Sequence, residues 1–196
     1  MQSSRRPEVS PAQAGTLQIF TFKTGPLSRL AHDLRLSVAR FDVELKERKV
    51  LARFDVASAR VDGVIEGERV DAARFTKQDN DIIERNLRDS VLKAARFPFV
   101  ELEGEVQPSI GDAWTLHARL TMVGRTHAVD VPIVRVGSEL VAEVELKPTL
   151  WGIAPFTTMG GAIGIEDRWR VRLKLALGGH TPPHLLRQAG VVRWGG

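Results

Sequence analysis

Residues Trp114 to Val136, WTLHARLTMVGRTHAVDVPIVRV, decide the fold because they read as a β-hairpin with a definite register. Gly124 and Arg125 form a two-residue loop with Gly first, which suits the positive φ of a type II′ turn. That loop sets Val123 opposite Thr126, then Leu120 opposite Val129, Ala118 opposite Val131 and Leu116 opposite Ile133, all on one face by the period-two rule. Arg119 meets Asp130 on the other face. An apolar stripe backed by charge is the pattern of antiparallel strands with one dry and one wet side. Pro132 falls opposite His117, where its missing N–H predicts a bulge or an early end to pairing.

Working outward, Thr16 to Lys23 reads as a strand, Gly25-Pro26 breaks it, and LSRLAHDL follows as a helical turn. The apolar positions run Leu34, Leu36, Val38 and then Phe41, Val43, Leu45, so parity flips near Ala39-Arg40 and the strand bulges or bends there. Val50, Ala52, Phe54, Val56 and Ser58 alternate as another strand. One helix lies between Asp79 and Lys93: Asp81 with Glu84 resembles a capping box, Ile83, Leu87 and Val91 recur on one face, and Pro98 forbids continuation. Strands follow at Phe99 to Val106 and Glu139 to Lys147. In the last strand Trp169, Val171, Leu173, Leu175 and Leu177 alternate with Arg168, Arg170, Arg172 and Lys174. About eight strands with one helix predict a mainly β fold, an antiparallel barrel in which closure hides the edges.

The chain of 196 residues, 43% hydrophobic and 27% charged, suits one domain, 16–178, between a disordered tail at 1–15 and a Gly- and Pro-rich tail at 179–196. A formal charge of +4 is spread along the sequence, and no nucleic-acid partner is expected. The absence of cysteine excludes disulfides, thiolate metal sites and cysteine nucleophiles. Residues 1–15 carry Arg5 and Arg6 without a following apolar run, and no transmembrane segment is found, so a cytoplasmic location is expected.

Several segments resemble the YceI-like family, lipocalin-like barrels associated with polyisoprenoids and other long apolar molecules. Leu120-Thr121-Met122-Val123-Gly124-Arg125-Thr126 with Val129 is similar to its L-T-x-x-G-x-T-x-x-V hairpin. Val56-Ala57-Ser58 resembles a strand ending in Ser before a charged crossover, Leu87-Arg88-Asp89-Ser90 with Phe97-Pro98 resembles its helix and next strand start, and Trp151-Gly152-Ile153 matches its aromatic-Gly-Ile turn. The resemblance covers roughly residues 17–177. Where the family carries His in R-D-x-H-L, this chain has Arg85-Asn86 before Leu87. The resemblance implies a lipocalin-like barrel and an isoprenoid- or lipid-like ligand.

Candidate chemistry is sparse. Ser28, His32 and Asp33 lack nucleophile-elbow spacing and read as a turn, and Pro182-Pro183 keeps His180 and His184 off one helical face, so neither a catalytic nor a metal site is expected. His117 points outward and His127 toward a rim, neither with an evident partner. The row Arg168, Arg170, Arg172, Lys174 reads as a wet wall balanced by acids on a neighbouring strand, with no aromatic on its face. The interior remains. Leu36, Phe54, Trp114, Leu116, Leu120, Trp169 and Val171 are the inward candidates for ligand contact, with Phe156 in the apolar, Gly-rich loop 155–164 as a lid. The expected function is non-enzymatic binding or sequestration of a long apolar molecule, without cofactor and with homo-oligomerisation open. The alternative is a filled barrel whose basic wall or C-terminal tail docks a protein or anion.

Overall fold

The computed structural model describes residues 15–177. Their strands are β1 (Gly15–Thr24), β2 (Leu34–Val38), β3 (Phe41–Lys46), β4 (Lys49–Asp55), β5 (Ala59–Glu66), β6 (Arg69–Asp71), β7 (Phe99–Pro108), β8 (Ala113–Met122), β9 (Arg125–Val136), β10 (Glu139–Leu146), β11 (Thr157–Thr158) and β12 (Ile163–Ala176). Helix α1 (Lys77–Arg85) continues as a wider π turn over Asn86–Val91. All the pairings are antiparallel, in the order β3-β4-β7-β8-β9-β10-β12-β1-β2-β5-β6, with β11 beside β12.

This corrects the expected count and closure. Twelve strands replace about eight because the parity flip at Ala39-Arg40 splits one long strand into β2 and β3, while residues 59–71, read as a charged crossover, form the β5-β6 hairpin. Alternation in β5 is hidden by a register shift opposite Arg35 and Leu36, beside Gly63 at φ 150°. The hydrogen-bonded order ends at β3 and β6, so among the described residues no ladder closes the barrel. The sheet is curled into a half-barrel, and its two ends are tied by one bent hairpin: β2 and β5 pair beside β1, whereas β3 and β4 pair beside β7.

Ser58 secures the bend. It is fully buried, its Oγ accepts the Arg40 N–H (2.9 Å), and its hydroxyl donates to the Asp55 carbonyl (2.8 Å). Phe41 and Phe54, facing across the bend with ring centroids 6.1 Å apart, pack on the Leu17, Val38 and Ala59 core. A second core joins Val56, Leu120, Trp151 and Trp169, and a third lies under Val50, Leu116 and Val131.

The organising hairpin holds its faces but shifts its register by two. Its loop is Val123-Gly124, both at positive φ (49° and 74°), the signature of a type I′ turn rather than II′. Leu120 therefore meets His127, Ala118 meets Val129 and Leu116 meets Val131, and Asp130 faces His117 instead of Arg119. A two-residue slide preserves side-chain parity, so the apolar stripe survives. The expected interruption at Pro132 also moves. Pro132 faces Thr115 in an unbroken β8-β9 ladder, and its missing N–H lies on the other side, toward β10, by the alternation of strand amides. There the β9-β10 ladder does stop, running only from Val136–Glu139 to Ile133–Ala142.

Trp151, 1% exposed, packs against the turn end of the β8-β9 hairpin, donating its Nε1–H to the Leu120 carbonyl (2.9 Å) and meeting His127 edge-on at 5.2 Å. The helix cap differs as well. Thr76 and Asp79, not Asp81 and Glu84, form the capping box, while Glu84 accepts the Val61 N–H (2.9 Å) and so fastens the helix to β5. The expected turn after Gly25-Pro26 is a short 3₁₀ helix, Ser28–Leu30.

Candidate functional site

A cavity of about 250 Å³ lies between the helix and one end of the sheet. Ile83, Leu87 and Val91, the predicted helix stripe, form its roof, and Leu34, Leu36 and Trp169 face them from β2 and β12. The segment between β10 and β11 supplies Ile153 and Phe156, and the start of β12 supplies Ile163. Phe156 is 53% exposed and stands at the rim. The polar lining consists of Thr21, His32, Asn86, Glu166 and Asp167. Glu166 is held by Arg168 (2.8 Å), and Asp167 accepts from the Thr149 N–H (2.9 Å) and hydroxyl (2.5 Å).

Of the predicted ligand-facing residues, the structure brings Leu36, Phe156 and Trp169 together around this space. Phe54 stands at the bend, Leu116 and Leu120 are packed in the two other cores, Val171 packs against core residues, and Trp114 pairs with Ile133 near the far end of the hairpin. Sequence reasoning missed Thr21, His32, Asn86, Ile153 and Ile163. A signal existed for Thr21: it takes the inward parity of Leu17 and Ile19 yet is polar.

The chemistry-bearing candidates are scattered. Asp33 accepts the Lys23 N–H (2.7 Å), and the His32 ring meets Phe75 edge-on at 5.6 Å, so no Ser28–His32–Asp33 relay is assembled. His117 and His127, read as unpartnered, do have partners: His117 Nδ1 lies 2.7 Å from Asp130, and His127 packs on Trp151. Among the described residues no group of three His, Asp or Glu could hold a metal, and no helix is long and apolar enough to cross a membrane. His180, His184 and the C-terminal tail lie outside the described residues.

Three of the four cations of the basic row are balanced by acids on the neighbouring strand β10, as expected. Arg168 and Arg170 reach Glu145 (3.5 and 3.7 Å), and Arg172 reaches Glu143 (2.5 Å). The expectation that no aromatic shares this face is corrected: β1 brings Phe22 under Arg168 (4.2 Å) and Phe20 near Arg172 (5.4 Å). Each of these three arginines thus sits between a carboxylate and a ring, an arrangement that satisfies it within the wall.

The fold is thus a mainly β, antiparallel sheet curled into a half-barrel, with a helix over an apolar cavity. The YceI-like domain model matches residues 21–177, and the chain belongs to that family. Solved structures share the fold at low identity. BcnA of Burkholderia cenocepacia matches with a TM-score of 0.56 at 14% identity, over 82% of this chain and 94% of that one. A polyisoprenoid-binding domain of Saccharophagus degradans, implicated in plant cell wall breakdown, gives 0.54 at 11%, over 84% and 95%. The Campylobacter jejuni YceI protein gives 0.51 at 11%, over 71% and 81%. No curated protein matches the chain in sequence.

Proposed function

We propose that this protein binds or sequesters an isoprenoid- or lipid-like molecule without chemistry, holding the end of its apolar chain in the cavity under α1. The observation that carries this reading is the cavity itself, walled by Leu36, Leu87, Ile153, Ile163 and Trp169. An apolar cavity of roughly 150 Å³ accepts benzene, so about 250 Å³ holds on the order of ten carbons in proportion. At about 0.8 kcal/mol per buried methylene, these contribute roughly 8 kcal/mol, micromolar binding before ordering costs. A longer chain extends past Phe156 into solvent. The polyisoprenoid-binding domain among the structural neighbours supports the ligand class. A non-enzymatic role and a cytoplasmic location belong to the same proposal.

The test is mass spectrometry of organic extracts from protein purified out of its native host, paired with uptake of an apolar fluorescent probe. Probe uptake that is lost in Leu87→Trp, which fills the space, supports the reading. Absence of both a stoichiometric lipid and probe uptake refutes it.

A further inference from the structure

Two buried side-chain oxygens have no hydrogen-bond partner among the described residues, Thr21 Oγ1 and Asn80 Oδ1. Only Thr21 lines the cavity. It is 7% exposed and sits on the middle of three adjacent strands, opposite Trp169 of β12 and Leu34 of β2, which line the same space. A hydroxyl buried without a partner is costly, and valine would fill the same volume without that cost. Leu17 and Ile19 occupy the preceding inward positions of β1, so the one polar member of that stripe lies where the stripe meets the cavity.

The charges around the cavity narrow what the hydroxyl can meet. Among the described residues no Lys or Arg lines the cavity, whereas Glu166 and Asp167 do. The nearby cations are already engaged: Arg168 holds Glu166 (2.8 Å), Lys147 lies 4.0 Å from Asp167, and Lys23 donates its Nζ to the Ala31 carbonyl (3.3 Å). A carboxylate or phosphate in the cavity would meet no lining Lys or Arg, and would have to compete with the two lining acids for the cations behind them.

We propose that Thr21 anchors the polar end of the bound molecule, and that the ligand class is a neutral apolar chain ending in a hydroxyl or carbonyl, with fatty-acid and prenyl-phosphate anions rejected. This rests on the carrier reading and assigns the specificity of that site. The hydroxyl donates to a carbonyl or accepts from an alcohol, and Trp169 and Leu34 flank the bond and exclude water.

Three ten-carbon probes test it by displacement of an apolar fluorophore at neutral pH: geraniol, the hydrocarbon myrcene, and the geranate anion. Thr21→Val should weaken geraniol about fivefold while leaving myrcene as tight or tighter, and Thr21→Ser should retain geraniol. Geranate should bind at least about tenfold more weakly than geraniol to the natural protein. The empty Thr21→Val protein should melt about 2–4 °C higher, having lost an unpaired buried hydroxyl. An unchanged geraniol-to-myrcene ratio in Thr21→Val, or geranate binding as tightly as geraniol, overturns the anchor while the carrier reading stands. If none of the three probes binds, the carrier reading itself falls.

Discussion

Replacing Trp151 by Phe tests whether one side chain holds the turn end of the β8-β9 hairpin in place. The substitution removes the Nε1–H bond to the Leu120 carbonyl and the second ring of a side chain that is 1% exposed. The bond is worth about 1 kcal/mol net. The lost volume, roughly 40 Å³ at about 24 cal/mol per Å³, adds about 1 kcal/mol. A total near 2 kcal/mol should lower the melting temperature by about 4–8 °C for a domain of this size. Trp151→Ala should cost about 3–5 kcal/mol. Urea and thermal unfolding of the purified variants measure both, and a double-mutant cycle with His127→Ala should show coupling of about 0.5–1.5 kcal/mol from the edge-on ring pair. A Trp151→Phe cost under about 0.5 kcal/mol would refute the reasoning, because neither the bond nor the packing would then be holding this end of the hairpin.

The remaining predictions concern the bend, a close strand approach and the helix cap. Ser58→Ala removes a fully buried hydroxyl that serves both the Arg40 N–H and the Asp55 carbonyl and should cost about 1–3 kcal/mol in urea unfolding, with a cost near zero dismissing Ser58 as the fastener. Gly104→Ala places a Cβ 2.7 Å from the Ala118 Cα and should destabilise by about 1–3 kcal/mol, visible as a lower urea midpoint; wild-type stability would show that β7 and β8 can part cheaply. The Asp79 carboxyl is held below its ordinary value of 3.8, first by the Thr76 hydroxyl and then by the Thr76 N–H. A depressed folded-state pKa means that this stabilisation is present above 3.8 and lost as pH falls through the lower folded value. Carboxyl NMR titration should therefore find Asp79 low in the natural protein and restored toward 3.8 in Thr76→Val, and an unchanged titration would rule out the hydroxyl as the cause.

Faces were readable in the sequence where a single period governed them. Leu116, Ala118 and Leu120 point inward whether the hairpin turns at Gly124-Arg125 or at Val123-Gly124, since the two registers differ by a full period. The turn itself was ambiguous because glycine serves either as the first residue of a type II′ loop or as the second of a type I′ loop. In the structure Phe97 lies against Gly124, 2.7 Å from where a Cβ would sit, a tertiary contact that no local pattern announces. The helix stripe Ile83, Leu87 and Val91 was legible by spacing, whereas its cap depended on Thr76, outside the apolar run. The pairing of Arg168, Arg170 and Arg172 with acids followed from strand alternation, although the strand carrying Phe20 and Phe22 alongside did not. The cavity was the least legible part. It is assembled from β1, β2, β12, the helix and segment 153–162, which share no local period, and five of the seven residues nominated for it from inward parity pack elsewhere.

The pairing of β1 with β12 also has a consequence for how the chain is made. Gly15 ends up opposite Leu175, so β1, the first of the described strands to leave the ribosome, must wait for β12 before one of its edges is covered. At roughly 5–20 residues per second that delay lasts about 7–30 s, and throughout it β1 presents unpaired amides along one side. A nascent chain stalled before Ile163 is therefore a natural client for chaperones that shield strand edges.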